Sequence, residues 1–218
     1  MNNSKLNNNS IINCRLLVLL LAILVFAGCT AQREIVNTDE LIKISQPRVF
    51  ANTFKNGLYK TNIQIHNRDL SGLMFFNKKD SSLRVVMLSE VGLKYFDIEH
   101  IIGKENPFVL HQVIDFLNHD KVINSLKNFL DILVIDNDQS YETYKIQNRA
   151  GYLEREIKNS GTDKNYIYNS NSGAIEQINQ KGKINSTTSL KAYDYLAPGE
   201  INYMQGKINF SLVKVEKE

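Results

Sequence analysis

The sequence predicts an α+β fold in which a curled antiparallel sheet carries one or two helices on its concave face. Three observations lead to this expectation: an alternating pattern over residues 59–101, a helical pattern over residues 120–134, and a return to short strands afterwards. A sheet of about ten strands cannot remain flat, because the twist between neighbouring strands accumulates. Helices placed between two sets of strands can bury the apolar side of such a curl.

The first four strands are predicted from the two-residue period of a half-buried strand. Thr61, Ile63 and Ile65, for example, alternate with polar neighbours. Polar turns or a glycine separate these runs, which favours an antiparallel meander. The four runs are residues 59–66, 70–76, 83–88 and 93–101.

The middle of the chain changes to a helical period. One apolar stripe over residues 120–134 predicts a helix, with Asp120 as its N-cap. Residues 107–118 fit both a helix and a strand, and we favour the helix. The stripe consists of Val122, Leu126, Phe129, Leu130 and Leu133.

The last part of the chain returns to strands. Turn-forming segments at residues 159–161, 171–173 and 181–182 combine Gly with Asn, Ser or Lys, as tight hairpins require. No linker divides this part, which predicts a single domain. The predicted strands are residues 141–147, 152–158, 165–169, 174–179, 184–190, 201–204 and 208–215.

The N-terminal segment has the pattern of a secretory signal. Lys5 and Arg15 precede an apolar run at residues 16–27, and no acidic residue intervenes. The run is too short to span a bilayer, which needs about 20 apolar residues. Polar residues that follow Cys29 end it.

Ala27 and Gly28 before Cys29 resemble the lipobox of bacterial lipoproteins, although Phe26 stands where that family prefers leucine. The resemblance implies that Cys29 receives a diacylglyceryl group after removal of a signal peptide, residues 1–28. Residues 29–44 are then a lipid-anchored tether. No aspartate follows the cysteine, so the sorting rules of the family imply the periplasmic face of the outer membrane. The alternatives are an ordinary secretory signal or an anchor helix, with an incidental cysteine.

Cysteine usage and charge exclude several classes of protein. Of the two cysteines, Cys14 lies in the predicted signal and Cys29 is consumed by lipid, so a core alone must hold the remaining chain together. The net charge is +3, and two of these charges belong to residues 1–28, which leaves +1 for the rest. The sequence contains no basic patch, so it does not predict nucleic acid as a partner.

The sequence predicts neither a cofactor nor a metal, and it does not predict an enzyme. None of the four histidines stands in a ligand motif, although His111 and His119 could share one face of a helix. Residues 136–140 open like a calcium loop but lack its glycine and its final glutamate. Ser89 and Glu90 beside Gly92 predict a turn.

Several features of the sequence together resemble the LolA/LolB-type periplasmic fold. They are the lipobox, the runs SGLMFF and LRVVMLSEVGLKYFDIEH, the helical insert and the closing segment PGEINYMQGKINFSLVKVE. They closely resemble uncharacterised lipoproteins of Bacteroidetes. The resemblance makes residues 45–218 one LolA/LolB-like domain, an incomplete β-barrel closed by helices whose apolar cavity receives acyl chains. In the enteric outer-membrane acceptor an exposed apolar loop residue transfers the cargo. The resemblance implies inward, cavity-lining roles for Ile63, Ile65, Leu73, Phe75, Val86, Leu88, Phe96 and Ile98.

Two functions are therefore expected from different classes. The first is an outer-membrane-anchored lipoprotein that binds a lipid or an acylated (lipoprotein) cargo in an apolar cavity. The alternative is a non-catalytic structural or accessory subunit of an envelope complex. That alternative predicts an envelope protein as partner, bound by an exposed apolar patch or by a free edge strand. In both cases the N-terminal lipid makes the membrane a partner.

Overall fold

The computed structural model of the protein describes residues 48–134, 143–149, 152–159, 162–169, 171–182 and 185–216. All of these belong to one compact unit. The predicted signal peptide, Cys29 and the tether lie outside the described residues. The elements are β1 Asn56–Ile65, β2 Arg68–Lys79, β3 Ser82–Leu88, β4 Lys94–Ile101, β5 Phe108–Val113, a 3₁₀ turn Asp115–Leu117, α1 Asp120–Leu133, β6 Thr143–Arg149, β7 Tyr152–Asn159, β8 Thr162–Asn169, β9 Ile175–Gly182, β10 Ser186–Lys191, β11 Glu200–Gln205 and β12 Ile208–Lys214.

The strands form one antiparallel sheet in the order β5-β4-β3-β2-β1-β12-β11-β10-β9-β8-β7-β6. The chain starts in the middle with β1 and moves outward to β5 at one edge. It then passes through α1, reaches the other edge at β6 and returns to the middle, where β12 pairs with β1. The predicted antiparallel sheet with a helical insert is confirmed, with twelve strands instead of about ten. In the described part of the chain β5 and β6 do not meet, so the sheet is not closed into a barrel.

The contacts of Asp131 on α1 show that the sheet is curled. His100 Nε2 on β4 lies 3.2 Å from Asp131 Oδ1, and Lys164 Nζ on β8 donates to the Asp131 carbonyl at 3.0 Å. β4 and β8 are eight positions apart in the sheet. On a flat sheet that separation is ~38 Å, far more than two side chains can bridge. The sheet must therefore curl around α1, which lies on its concave face.

Helix α1 buries the apolar stripe that the sequence predicted. All five stripe residues are buried, and Phe129 packs edge-on against Tyr203 and Phe210 at ring-centroid distances of 5.4 and 5.0 Å. The Tyr203 hydroxyl donates to the Ser125 carbonyl at 3.3 Å. Each fully buried side chain of this size contributes about 1.5–3 kcal/mol. The prediction of this helix is confirmed, and its packing joins it to β11 and β12.

The prediction of Asp120 as the N-cap is wrong. His119 precedes the helix with extended backbone and makes no side-chain capping hydrogen bond. Its carbonyl accepts the backbone N–H groups of Val122 and Ile123, both at 2.9 Å. Asp120 lies inside the first turn, where a carboxylate is still favourable beside the positive end of the helix dipole.

The preference for a helix over residues 107–118 is also wrong. Phe108–Val113 forms β5, which pairs with β4, and a 3₁₀ turn follows. The sequence of this segment fits both the helical and the strand period, so pairing with the neighbouring strand β4 decides that it forms a strand. At the two ends of this pairing the Ile101 N–H donates to the Pro107 carbonyl at 2.8 Å, and the Ile114 N–H donates to the Tyr95 carbonyl at 3.0 Å. A helix would leave these groups of β4 without partners.

The hairpin between β8 and β9 shows how the predicted turns are built. The Asn169 side-chain oxygen accepts the N–H groups of Asn171 and Ser172 at 3.0 and 3.2 Å. Gly173 then adopts φ +68°, which favours glycine. The turn predicted at residues 171–173 is confirmed. Separately, none of the helices among the described residues has the length and apolar character needed to cross a membrane.

Candidate functional site

The concave face of the sheet is the first candidate site. Ile63 and Ile65 on β1 and Phe96 and Ile98 on β4 are buried there. Met74 and Phe76 on β2, with Val85 and Met87 on β3, complete the same wall. The wall formed by β1 to β4 is therefore almost entirely aliphatic and aromatic. Four of the eight residues predicted to line a cavity belong to it.

The other four predicted residues point the opposite way. Leu73 and Phe75 on β2 and Val86 and Leu88 on β3 are half-buried or exposed, and Phe75 is 38% exposed. The expectation that they face inward is wrong. The runs LSGLMFF and LRVVML are apolar at both alternating sets of positions, so their sequence does not reveal which set faces the core.

These four residues form a continuous patch on the outer face. Leu73 lies opposite Leu88, and Phe75 lies opposite Val86 and also opposite Leu58 of β1. We call these five residues the outer apolar patch. Directly opposed side chains on one face are close enough to pack together. The sheet thus has apolar side chains on both faces along β2 and β3.

A clamp of charged residues borders the outer apolar patch. Arg84 Nε and Nη2 donate to the two carboxylate oxygens of Asp97 at 2.8 and 2.9 Å, and Lys94 Nζ donates at 3.1 Å. The hydrogen bond from Arg84 is the main cause that holds the pKa of Asp97 below its usual range, and Lys94 adds to it. The clamp ties β3 to β4 beside the patch.

The loop between β3 and β4 presents two apolar side chains to solvent. Val91 is 91% exposed and Leu93 is 56% exposed. The Ser89 N–H donates to the Leu93 carbonyl at 2.8 Å, and the Ser89 hydroxyl accepts the Leu93 N–H at 2.9 Å. Gly92, at φ +83°, completes the reversal. The predicted turn is confirmed, and its hydrogen bonds hold Val91 at the tip.

The concave face becomes more polar towards β9 to β11. The Ser186 hydroxyl donates to Gln180 Oε1 at 3.2 Å, and the side-chain amide of Gln205 lies beside the Tyr203 hydroxyl. Burial raises the pKa of Tyr203, so this hydroxyl remains protonated and a donor. Thr188 Oγ1 is buried and has no hydrogen-bond partner among the described residues. An apolar ligand is therefore better suited to the wall formed by β1 to β4.

The histidines are spread over separate places. His111 on β5 contacts Glu99, with Nε2 and Oε2 2.8 Å apart, and His119 precedes α1. The expectation that these two histidines could share a helix face is wrong, because β5 is a strand. The described residues contain no group of three or more His, Cys, Asp or Glu that could hold a metal. Residues 136–140 lie outside the described part of the chain.

Two cavities open on the outer face of the sheet. One has a volume of about 520 Å³ and is lined by residues of β1, β2, β10, β11 and β12. The other has a volume of about 680 Å³ and is lined by residues of β7 to β10, of the β8–β9 turn and of the loop that follows β10. They share Ser189. The sequence pattern did not reveal this site, because its residues look like an ordinary polar strand face.

Comparison with known proteins adds no relative. No protein-family model matches the chain, and a search of the curated proteins finds no significant match.

Proposed function

We propose that the protein is an outer-membrane-anchored lipoprotein that binds a lipid or an acylated cargo on the concave side of an incomplete β-barrel. Cys29 is the proposed lipidation site, and the domain after the tether is the proposed binding module, of LolA/LolB type. The proposal rests on one observation. A sheet curled far enough to contact Asp131 from both β4 and β8 is not closed between β5 and β6, and α1 covers its apolar wall.

The energetics of acyl burial support this proposal. Each CH₂ group moved from water into apolar surroundings contributes about 0.8 kcal/mol, so a sixteen-carbon chain such as palmitate offers ~12 kcal/mol. Seven residues of α1 are buried against the sheet. Displacing part of this helix exposes both the wall of Ile63, Phe96 and Ile98 and the buried face of α1. An acyl chain on the wall would cover the first of these surfaces again and so offset part of the cost.

Val91 is the proposed transfer residue. The LolA/LolB resemblance implies an exposed apolar residue on a loop, and Val91 is 91% exposed at the tip of the β3–β4 loop. Both flanking strands belong to the apolar wall. The hydrogen bonds between Ser89 and Leu93 fix the conformation of the loop, in which the side chain of Val91 is exposed to solvent.

Native mass spectrometry of a chain that begins at Thr30, purified without detergent, tests binding. Solvent extraction then identifies any bound molecule. We expect a discrete lipid or acylated peptide near one per chain. A clean ligand-free mass that does not change when phospholipid and acylated peptide are added would contradict the proposal.

Transfer is tested separately with the variant Val91→Glu. The probe is a fluorescent diacylated peptide, loaded on the protein and then mixed with phospholipid vesicles. We expect peptide binding to be unchanged and transfer to the vesicles to slow at least tenfold. Val213→Glu changes an exposed valine on β12 and is the matched control. Equal transfer rates for the two variants would exclude a role for the loop.

A role as an accessory subunit is the second candidate. The outer apolar patch, with Phe75 exposed beside Val86, favours it because an apolar face of this kind suits a protein partner. Co-purification of a stoichiometric envelope protein with no lipid would support this role. Phe75→Ser should then release the partner, whereas the carrier proposal leaves cargo binding unchanged in that variant.

A further inference from the structure

The two cavities on the outer face carry an inference that is independent of the concave site. Most of their residues alternate with the core residues of the same strands and point away from α1 and from the proposed lipid site. Tyr203, Phe210 and Leu190 also line the cavities but are buried in the core. We call the two cavities together the outer trough, which runs from Asn62 on β1 to Tyr152 on β7. Each volume is in the range of small-molecule binding sites.

The strand register places neutral hydrogen-bonding side chains in a row across the outer trough. Asn62 lies opposite Ser211, Ser211 opposite Asn202, Asn202 opposite Ser189, and Ser189 opposite Gln177. The row crosses five neighbouring strands, which corresponds to ~19 Å at the usual strand spacing. Every member of the row has an amide or hydroxyl group.

A second row runs beside the first and contains one unsatisfied group. It passes from Gln64 through Asn209 and Met204 to Thr187. Asn209 Nδ2 donates to Gln64 Oε1 at 3.2 Å, but Asn209 Oδ1 is buried and has no hydrogen-bond partner among the described residues. A buried acceptor without a partner is costly, and a ligand hydroxyl donating to it would remove that cost.

Charge is scarce at the end of the outer trough that lies over β1, β12, β11 and β10. Asp69 is the only charged residue among the described residues that line this cavity, whereas Glu176 and Lys191 line the second cavity. Amide and hydroxyl groups both donate and accept hydrogen bonds, which matches a ligand with many hydroxyl groups and no charge. The described residues that line this cavity include no cation, which disfavours a phosphate or a polyanion as its ligand.

Aromatic residues lie at the other end. Tyr152 is 44% exposed and lines the second cavity together with Tyr193. Tyr193 packs against the core, so Tyr152 supplies the exposed ring at this end. An exposed aromatic ring offers an apolar surface with a polar edge, on which the C–H face of a sugar ring can pack.

We propose that the outer trough binds a neutral oligosaccharide. The chain of sugar rings crosses the strands, so that successive rings meet successive amide or hydroxyl side chains from Asn62 to Ser189. The spacing between strands is close to the length of one pyranose unit. One ring packs on Tyr152, and one hydroxyl donates to Asn209 Oδ1.

The test uses the full chain in detergent and neutral oligosaccharides of four to six units, presented on an array that covers glucans, mannans, galactans and xylans. Titration calorimetry then follows the best-bound oligosaccharide. Tyr152→Ala and Asn209→Ala are the test variants. Tyr195→Ala is the matched control, because Tyr195 is 88% exposed and does not line the outer trough.

We expect the dissociation constant to rise at least tenfold in each test variant and to stay within twofold in Tyr195→Ala. Thermal unfolding should be unchanged in Tyr152→Ala and Tyr195→Ala, because both side chains are exposed. Asn209→Ala also loses the hydrogen bond to Gln64, so its effect on binding is read at a temperature well below its unfolding midpoint. The proposal is overturned if no neutral oligosaccharide binds, if only charged oligosaccharides bind, or if Tyr195→Ala weakens binding as much as Tyr152→Ala. Because the concave site is not involved, these outcomes are distinct from failure of lipid binding.

Discussion

Phe129→Ala tests the packing of α1 inside the curled sheet. Phe129 is fully buried and packs edge-on against Tyr203 and Phe210. Truncating a buried phenylalanine costs about 3–5 kcal/mol, and each lost aromatic pair adds about 0.5–1.5 kcal/mol. We therefore expect a loss of about 5 kcal/mol in the free energy of unfolding. That is a large part of the ~5–15 kcal/mol available to a typical domain.

Urea unfolding followed by circular dichroism measures this loss. Because Phe129→Ala leaves little stability, Phe129→Leu gives a milder second point, with an expected loss of about 1–2 kcal/mol. Asn124→Ala is the control on the exposed face of α1 and should change stability by less than about 0.5 kcal/mol. A loss below ~1 kcal/mol in Phe129→Ala would refute the packing of the helix described above.

Three further predictions concern the sheet and the loop between β3 and β4. Gly72→Ala should destabilise the fold by about 1–3 kcal/mol in urea unfolding, because the added Cβ would lie 2.0 Å from the backbone oxygen of Leu88. The pKa of Asp97 is lowered in the folded protein, chiefly by the hydrogen bond from Arg84. The ion pair therefore stabilises the protein above the unfolded pKa of about 3.9, and this stabilisation is lost as the pH falls through the folded pKa. We expect Asp97→Asn to lose less stability than the wild type between pH 5 and pH 2. Val91→Glu should leave the urea midpoint unchanged, because the side chain is exposed.

Each of these predictions has a contradicting result. If Ser71→Ala, an exposed neighbour in β2, destabilises as much as Gly72→Ala, the close approach of the two strands is not the cause. If the acid dependence of Asp97→Asn equals that of the wild type, the clamp does not contribute to acid stability. A lowered urea midpoint in Val91→Glu would mean that Val91 packs on the protein.

The strand pattern of the sheet was predictable where one face is polar. In β1 the residues Thr61, Ile63 and Ile65 alternate with polar residues at positions 60, 62 and 64. The face that carries Thr61, Ile63 and Ile65 is buried, as predicted. In β2 and β3 both faces are apolar, so local sequence does not indicate which side the curl encloses. That choice depends on the register with β1 and on the position of α1, which are long-range properties.

The candidate sites were predictable only in part for the same reason. Phe96 and Ile98 were expected to face inward and are buried on the concave face, whereas Leu73 and Phe75 lie on the outer face. The outer trough depends on cross-strand register between segments far apart in the chain, so no local motif marks it. β5 likewise became a strand because β4 required a hydrogen-bonding partner.

The pairing of β1 with β12 has a consequence for how the protein folds. Ile65 and Ile208 are register partners at the centre of the sheet, although nearly the whole folded domain separates them in the chain. The strands β1 to β5 can pair with one another early, as can β6 to β11, but the two halves join only after β12 has been added. Until then the free side of β1 exposes unpaired backbone groups, which is a template for aggregation. This intermediate lasts until the C-terminal strand is available to pair with β1, so the last strand to be synthesised is the one that completes the sheet.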